Sequence, residues 1–178
     1  MPMASLRTPR LSLEEISLEM VEAIMVGRRE DAERIAEARL PATWPNRALI
    51  ERAFTASLDE IRADPATRLW GDRLVIVQGG GERRVIGSVV FHGRPGADGI
   101  AEVAYGVEDE SQGQGIATEA TSACVRWALS QDGVVAVRAT TLPWHFASLR
   151  VIQKVGMTQV ETRDHELLGE LLVFEVRR

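Results

Sequence analysis

The sequence predicts a mixed α/β fold, and three observations carry that prediction. The hydrophobic period changes from helical to strand spacing after residue 65, where Asp64-Pro65 interrupts an N-terminal helical pattern. Three β-like runs then follow one another across glycine-containing turns. Beyond them, strand and helix patterns alternate to the end of the chain. The length of 178 residues fits one compact unit with a sizeable core, so residues 1–178 are read as a single domain.

The elements can be taken in order. Arg10-Leu11-Ser12-Leu13 alternates as a short strand does, and helical patterns come next. Asp31 to Leu40 places Ala32, Ile35, Ala36 and Leu40 on one face. After Pro45, the residues Leu49, Ile50, Ala53, Phe54, Leu58 and Ile61 recur at helical spacing. Leu74 to Val77 and Val85 to Phe91 read as strands joined across Gly79-Gly80-Gly81. The turn Pro95-Gly96-Ala97-Asp98-Gly99 leads into a third run, Ile100 to Val107. A glycine-rich segment precedes an amphipathic helix from about Ile116 to Ser130, ended by Asp132-Gly133. Val134 to Thr141 is the next strand, and a short helix over Phe146 to Val155 is closed by Gly156. Met157 to Arg163 and Glu170 to Val176 are the final strands.

Composition narrows the function. With 45% hydrophobic and 26% charged residues the chain resembles an ordinary globular protein. No apolar run approaches the ~18 residues that a membrane span needs. Met1 to Arg7 lacks the apolar core of a secretory signal. Cys124 is the single cysteine, which excludes an internal disulfide and points to the reducing cytoplasm. The net charge is −5 and Lys/Arg residues do not cluster, so neither nucleic acid nor membrane is expected as a partner. His92 and His165 lack the partner spacing of a metal site, and no metal is expected.

The stretch Tyr105-Gly106-Val107-Glu108-Asp109-Glu110-Ser111-Gln112-Gly113-Gln114-Gly115-Ile116-Ala117-Thr118 is the most informative. A strand ends, Gly113 and Gly115 let the backbone pass close to a ligand, and a helix begins at once. The first N–H groups of that helix have no internal partner and carry about half a positive charge, which suits a phosphate. A Walker A loop would need a Lys-Ser/Thr pair where Ile116-Ala117 stands. A dinucleotide fingerprint would need a third small residue at Thr118 and would usually open a domain. An ordinary strand–helix turn has the same spacing.

Gln112-x-x-Gly115-x-Ala117 resembles the Q/R-x-x-G-x-G/A pyrophosphate motif of the GNAT acetyltransferases. Thr8-Pro9-Arg10-Leu11 is similar to the T-x-R-L opening strand of their RimJ/RimL-type branch, and Glu102-Val103-Ala104-Tyr105 to its E-x-G-Y element. Thr141-Leu142-Pro143-Trp144-His145-Phe146-Ala147-Ser148, continuing through Lys154-Val155-Gly156-Met157, resembles its N-x-x-S-x-x-x-x-x-K-x-G-F helix. His145 replaces the usual Asn, a stronger helix cap, and Met157 replaces Phe.

The resemblance implies a central, mostly antiparallel, splayed sheet of about six or seven strands flanked by helices. It implies acetyl-CoA as cosubstrate and direct acetyl transfer to a primary amine, either a protein N-terminal α-amine or a small-molecule amine. The strands would splay near Tyr105–Val107 and Ala139–Thr141, with the diphosphate on the turn at Gly113, Gln114, Gly115, Ile116, Ala117 and Thr118. Gln112, Thr141, His145 and Ser148 would complete the cofactor contacts. An N–H of Tyr105, Gly106 or Val107 would stabilise the oxyanion.

For the chemistry, Glu102 is the candidate base, against a solvated or Arg-paired strand residue. Ser148 is the candidate acid, against a small core residue, and His145 a second candidate base, against a surface histidine. Cys124 reads as core packing; Trp144 either walls the acceptor cleft or staples the short helix. Acceptor loops are expected around Arg39–Asn46 and Asp164–Gly169. A homodimer is compatible with the branch. The rival readings are a catalytically degenerate CoA-binding or partner-binding module and a nucleotide-binding enzyme.

Overall fold

The computed structural model describes residues 5–42 and 56–178. The helical spacing read over Leu49–Phe54 lies outside the described residues. The chain enters through β1 (Leu6–Arg7) and β2 (Leu11–Glu15), then turns into α1 (Leu18–Met25), where the Ser17 side chain accepts from the Met20 N–H. Next comes α2 (Arg29–Ala36). The helix expected to run to Leu40 stops four residues earlier, because Glu37 takes the left-handed conformation at φ 49°. Leu40 is still buried, carried in on an extended segment in which Arg39 bonds across to Arg83 and Val85.

Asp64-Pro65 both ends and starts a helix. It terminates α3 (Leu58–Ala63), and the Asp64 carboxylate then accepts from the Thr67 N–H to cap the single turn α4 (Pro65–Arg68). Proline at the first helical position loses no hydrogen bond there. The remaining elements are β3 (Arg73–Gly79), β4 (Glu82–Phe91), β5 (Ile100–Val107), α5 (Ile116–Ser130), β6 (Ala136–Thr141), α6 (Phe146–Val155), β7 (Thr158–His165) and β8 (Gly169–Arg177).

Among the described residues the strands form one eight-stranded sheet in the order β1-β2-β3-β4-β5-β6-β8-β7. Six or seven strands were expected; the addition is the two-residue β1, too short to show a period. Every neighbouring pair is antiparallel except β5 and β6, which run parallel. One core lies between the sheet and α5–α6, with Val103, Cys124, Val137 and Ile152 among its residues. The other lies under α1, α2 and α3, with Met20, Ala32, Ile61 and Ile76. Buried Arg73 is seated in the first, its guanidinium carbon 5.1 Å from the Trp127 ring centre and one nitrogen on the Leu13 carbonyl.

Candidate active site

The parallel pairing of β5 with β6 is short. It joins Ile100, Ala101 and Glu102 to Ala136, Val137 and Arg138, and then stops. Above that point β5 pairs only with β4, through Val103–Val107, while Ala139, Thr140 and Thr141 pair only with β8. The two central strands therefore fork, with Glu102 at the floor.

Strand alternation decides which β5 backbone groups face the fork. The Glu102 carbonyl accepts from the His92 N–H and the Glu108 N–H donates to Ile86, so the even-numbered residues bond to β4. Tyr105 and Val107 consequently turn their backbone groups into the fork, and the Val107 carbonyl is indeed held by Gln112 Nε2 (3.0 Å). Gly106 faces β4 instead. Its carbonyl lies so near Gly87 that a Cβ there would come within 2.2 Å of it, which is why that position tolerates only glycine. Of the three expected oxyanion donors, Tyr105 and Val107 remain.

The two faces of the fork carry different groups. Ala104 packs toward the α1–α2 core, whereas Tyr105 and Val107 pack toward α5 and α6. On the Tyr105 face the phenol hydroxyl lies 2.9 Å from Ser148 Oγ and donates to the Ser148 carbonyl (3.1 Å), joining β5 to the first turn of α6. Burial pushes the Tyr105 phenol up, only partly opposed by the Ser148 hydrogen bond, so it keeps its proton at neutral pH.

On the opposite face, Glu102 Oε1 accepts from the Thr140 hydroxyl (3.1 Å) and Oε2 lies 3.6 Å from His92 Nδ1. The His92 contact, with help from Thr140 and the positive charge of Arg163, holds the Glu102 carboxyl below the usual carboxylate range against the opposing effect of burial. The carboxylate is thus ionised at neutral pH and is a weaker base than an ordinary one. A cavity of about 420 Å³ opens beside it, lined by His92, Arg94, Asp98 and Glu102 among others.

The turn after β5 has the form of a cradle. Gly113 and Gly115 sit at φ 71° and 77°, in the left-handed region that favours glycine. The first internal bond of α5 runs from the Glu119 N–H to the Gly115 carbonyl (3.0 Å). The N–H groups of Ile116, Ala117 and Thr118 precede it and have no partner within the helix. The exposed Gln112 bonds back onto its own turn, its amide donating to the Val107 carbonyl and to Asp109 Oδ1 (3.0 Å). Gln114 Nε2 likewise donates to the Glu110 carbonyl (3.2 Å). Both glutamine amides thus brace the turn through its own carbonyls.

The other expected residues are scattered in role. Thr141 is buried at the top of β6, opposite Leu172. His145 is the N-cap of α6 but its side chain makes no capping hydrogen bond, and it is exposed, with the Trp144 ring centre 6.3 Å from its own. Trp144 is 67% exposed, so it does not staple the short helix. Burial pushes the Cys124 thiol up to about 12, which removes it as a nucleophile. The hairpin tip carries Leu167 at 89% exposure; the Arg39–Asn46 loop lies partly outside the described residues. Among the described residues, no cluster of metal-ligating side chains and no helix long and apolar enough to cross a membrane occur. Sequence reading gave no role to His92, Thr140 or the Tyr105 hydroxyl, whose partners are distant in the chain.

Comparison with known proteins identifies the family and the fold. Residues 10–158 match the family model described as an acetyltransferase (GNAT) domain. An uncharacterised N-acetyltransferase of Bacillus subtilis (strain 168), YjdG, is 23% identical over 156 residues, 86% of this chain and 89% of the relative. The ribosomal-protein-S5-alanine acetyltransferase of Vibrio fischeri has a similar structure, with a TM-score of 0.65 at 16% identity, over 98% of this chain and 97% of that one. So does RimL, a ribosomal L7/L12 alpha-N-protein acetyltransferase solved with coenzyme A (TM-score 0.61, 14% identity, 96% and 95% covered).

Proposed function

Because the chain belongs to the acetyltransferase (GNAT) domain family, we propose that it is an N-acetyltransferase that carries the acetyl group of acetyl-CoA to an α-amine, such as a peptide N-terminus. Acetyl-CoA supplies an activated thioester. The protein's residues fit it: the α5 N-terminus and its two left-handed glycines suit a diphosphate, and the forked strands offer unpaired backbone groups to an amide-bearing arm. Tyr105 and Val107 supply the N–H groups for the oxyanion. A lone buried thiol suits a reducing compartment, and the cytoplasm is the proposed location.

The choice of acceptor rests on Glu102, a carboxylate held by Thr140 and His92 at the floor of the fork. An amine attacks only when neutral, and at pH 7 an α-amine with a pKa near 8 is about 10% neutral, whereas a lysine near 10.4 is below about 0.1%. Glu102 is ionised but weakly basic, so it can take a proton from an α-amine, directly or through water, far more easily than from a lysine ammonium. The test is a thiol-release assay with two peptides, one with a free N-terminus and no lysine, the other Nα-blocked with one lysine. At pH 7 the free N-terminus should give a kcat/KM about 100-fold higher. Equal rates would overturn the α-amine assignment. Tight acetyl-CoA binding with no turnover of any amine would favour the degenerate module.

Departure of the thiolate falls to the other face. The Tyr105 hydroxyl, protonated and fixed against Ser148, is the proton donor we assign, with Ser148 holding its position. Tyr105→Phe should lower kcat about tenfold with little change in the KM for acetyl-CoA, less than the usual acid–base effect because water can substitute. An unchanged kcat would reduce the pair to a strut between β5 and α6.

A further inference from the structure

The opening segment reaches the phosphate cradle, a contact that its strand-like sequence does not announce. Glu119, on the first turn of α5, takes four contacts from it. Its Oε1 accepts from the Thr8 hydroxyl (2.6 Å) and the Arg10 N–H (3.1 Å), and Oε2 from Arg10 Nε (2.7 Å) and Nη2 (2.7 Å). The remaining guanidinium nitrogen, Nη1, donates to the Gln114 carbonyl (2.9 Å) between the two cradle glycines. A Cβ on Gly115 would lie 3.6 Å from Nη2, so the guanidinium rests against the cradle itself.

Charge gives this clamp a purpose. A carboxylate near a helix N-terminus stabilises the helix, but it is the wrong sign beside a second anion. Glu119 is ionised, since burial is outweighed by the Thr8 and Arg10 contacts that pull its pKa down. The segment just before the cradle adds Glu108, Asp109 and Glu110. An arginine forked onto Glu119 cancels the nearest of these charges, and its grip on Gln114 keeps that carbonyl from turning into the cradle.

We propose that Arg10 is a positioning residue for the acetyl-CoA diphosphate: it neutralises Glu119 and fixes the turn so that its N–H groups stay open to phosphate. This rests on the reading of the turn as the diphosphate seat. The experiment is calorimetric titration of CoA into the wild type, Arg10→Ala, Arg10→Gln, Glu119→Gln, Arg10→Ala/Glu119→Gln and Gly115→Glu, each checked for thermal unfolding. Arg10→Ala should weaken CoA about tenfold, Glu119→Gln should not weaken it, and the double variant should return to within about threefold of wild type. Raising the salt should narrow the gap between Arg10→Ala and wild type. Arg10→Gln, neutral but able to hold Gln114, serves if the alanine variant does not fold.

A strut would behave otherwise. If Glu119→Gln is as harmful as Arg10→Ala and the double variant no better than either, neutralisation is wrong. If Arg10→Ala binds like wild type while Gly115→Glu does not, the Arg10 proposal falls and the seat stands. If Gly115→Glu binds like wild type, the seat itself is wrong and the Arg10 role falls with it.

Discussion

Gly115→Glu is expected to lower the affinity for acetyl-CoA at least about 100-fold while the protein stays folded. Two effects act on binding, beside a backbone strain that the free and the bound protein carry alike. Gly115 is left-handed at φ 77°, so any side chain costs about 1–2 kcal/mol of backbone strain. A Cβ has room, its nearest neighbour being Arg10 Nη2 at 3.6 Å, so the strain does not propagate into the core. The new carboxylate then occupies the place proposed for phosphate. Two unit charges 4 Å apart repel by about 4 kcal/mol at an effective dielectric of 20, and solvent at this exposed turn leaves about a third of that. Displaced hydrogen bonds to a charged ligand cost about 1.5–3 kcal/mol more. Together these exceed the roughly 2.7 kcal/mol that a hundredfold requires. Gly115→Ala isolates the strain and should weaken binding only a few-fold. Wild-type affinity in the glutamate variant would mean that no diphosphate sits on this turn.

What could be read from the sequence was local. The bounds of α5 and α6 were legible because a glycine marks a terminus of each, Gly115 before one and Gly156 after the other, both left-handed. β5 was legible because a mostly apolar run of strand length stands between turns rich in glycine. The cradle could be inferred from the same glycines, but its choice over an ordinary turn needed the family resemblance.

What stayed hidden was non-local or masked by competing local signals. The Glu37 cap leaves no mark, since glutamate is not a residue expected at positive φ. The fork depends on where pairing between β5 and β6 stops, which no single strand encodes. Thr8 and Arg10 meet Glu119 across 111 and 109 residues, and the Tyr105–Ser148 contact spans 43. Gln112 was read as a ligand from its place in the motif, yet its amide closes the turn from within.

Glu102→Gln carries the second large effect, a fall in kcat/KM of about 100-fold at every pH between 6 and 9, the lower range of general base catalysis. The substitution is conservative for the fold. A glutamine can still accept from Thr140 and can donate to His92 Nδ1 on the other side. The pH profile distinguishes the base from the acceptor. Glu102 has a folded pKa below its unfolded value, so its ionised form stabilises the fold above the ordinary carboxylate range, and that contribution is lost as pH falls through the lowered value. Its titration therefore lies well below neutrality. A rise in kcat/KM centred near pH 8 is the one expected of an α-amine acceptor. The variant should keep that rising limb and lose only its height. Full activity at every pH would remove Glu102 from the chemistry and leave it as the brace that ties β4, β5 and β6 at the floor of the fork.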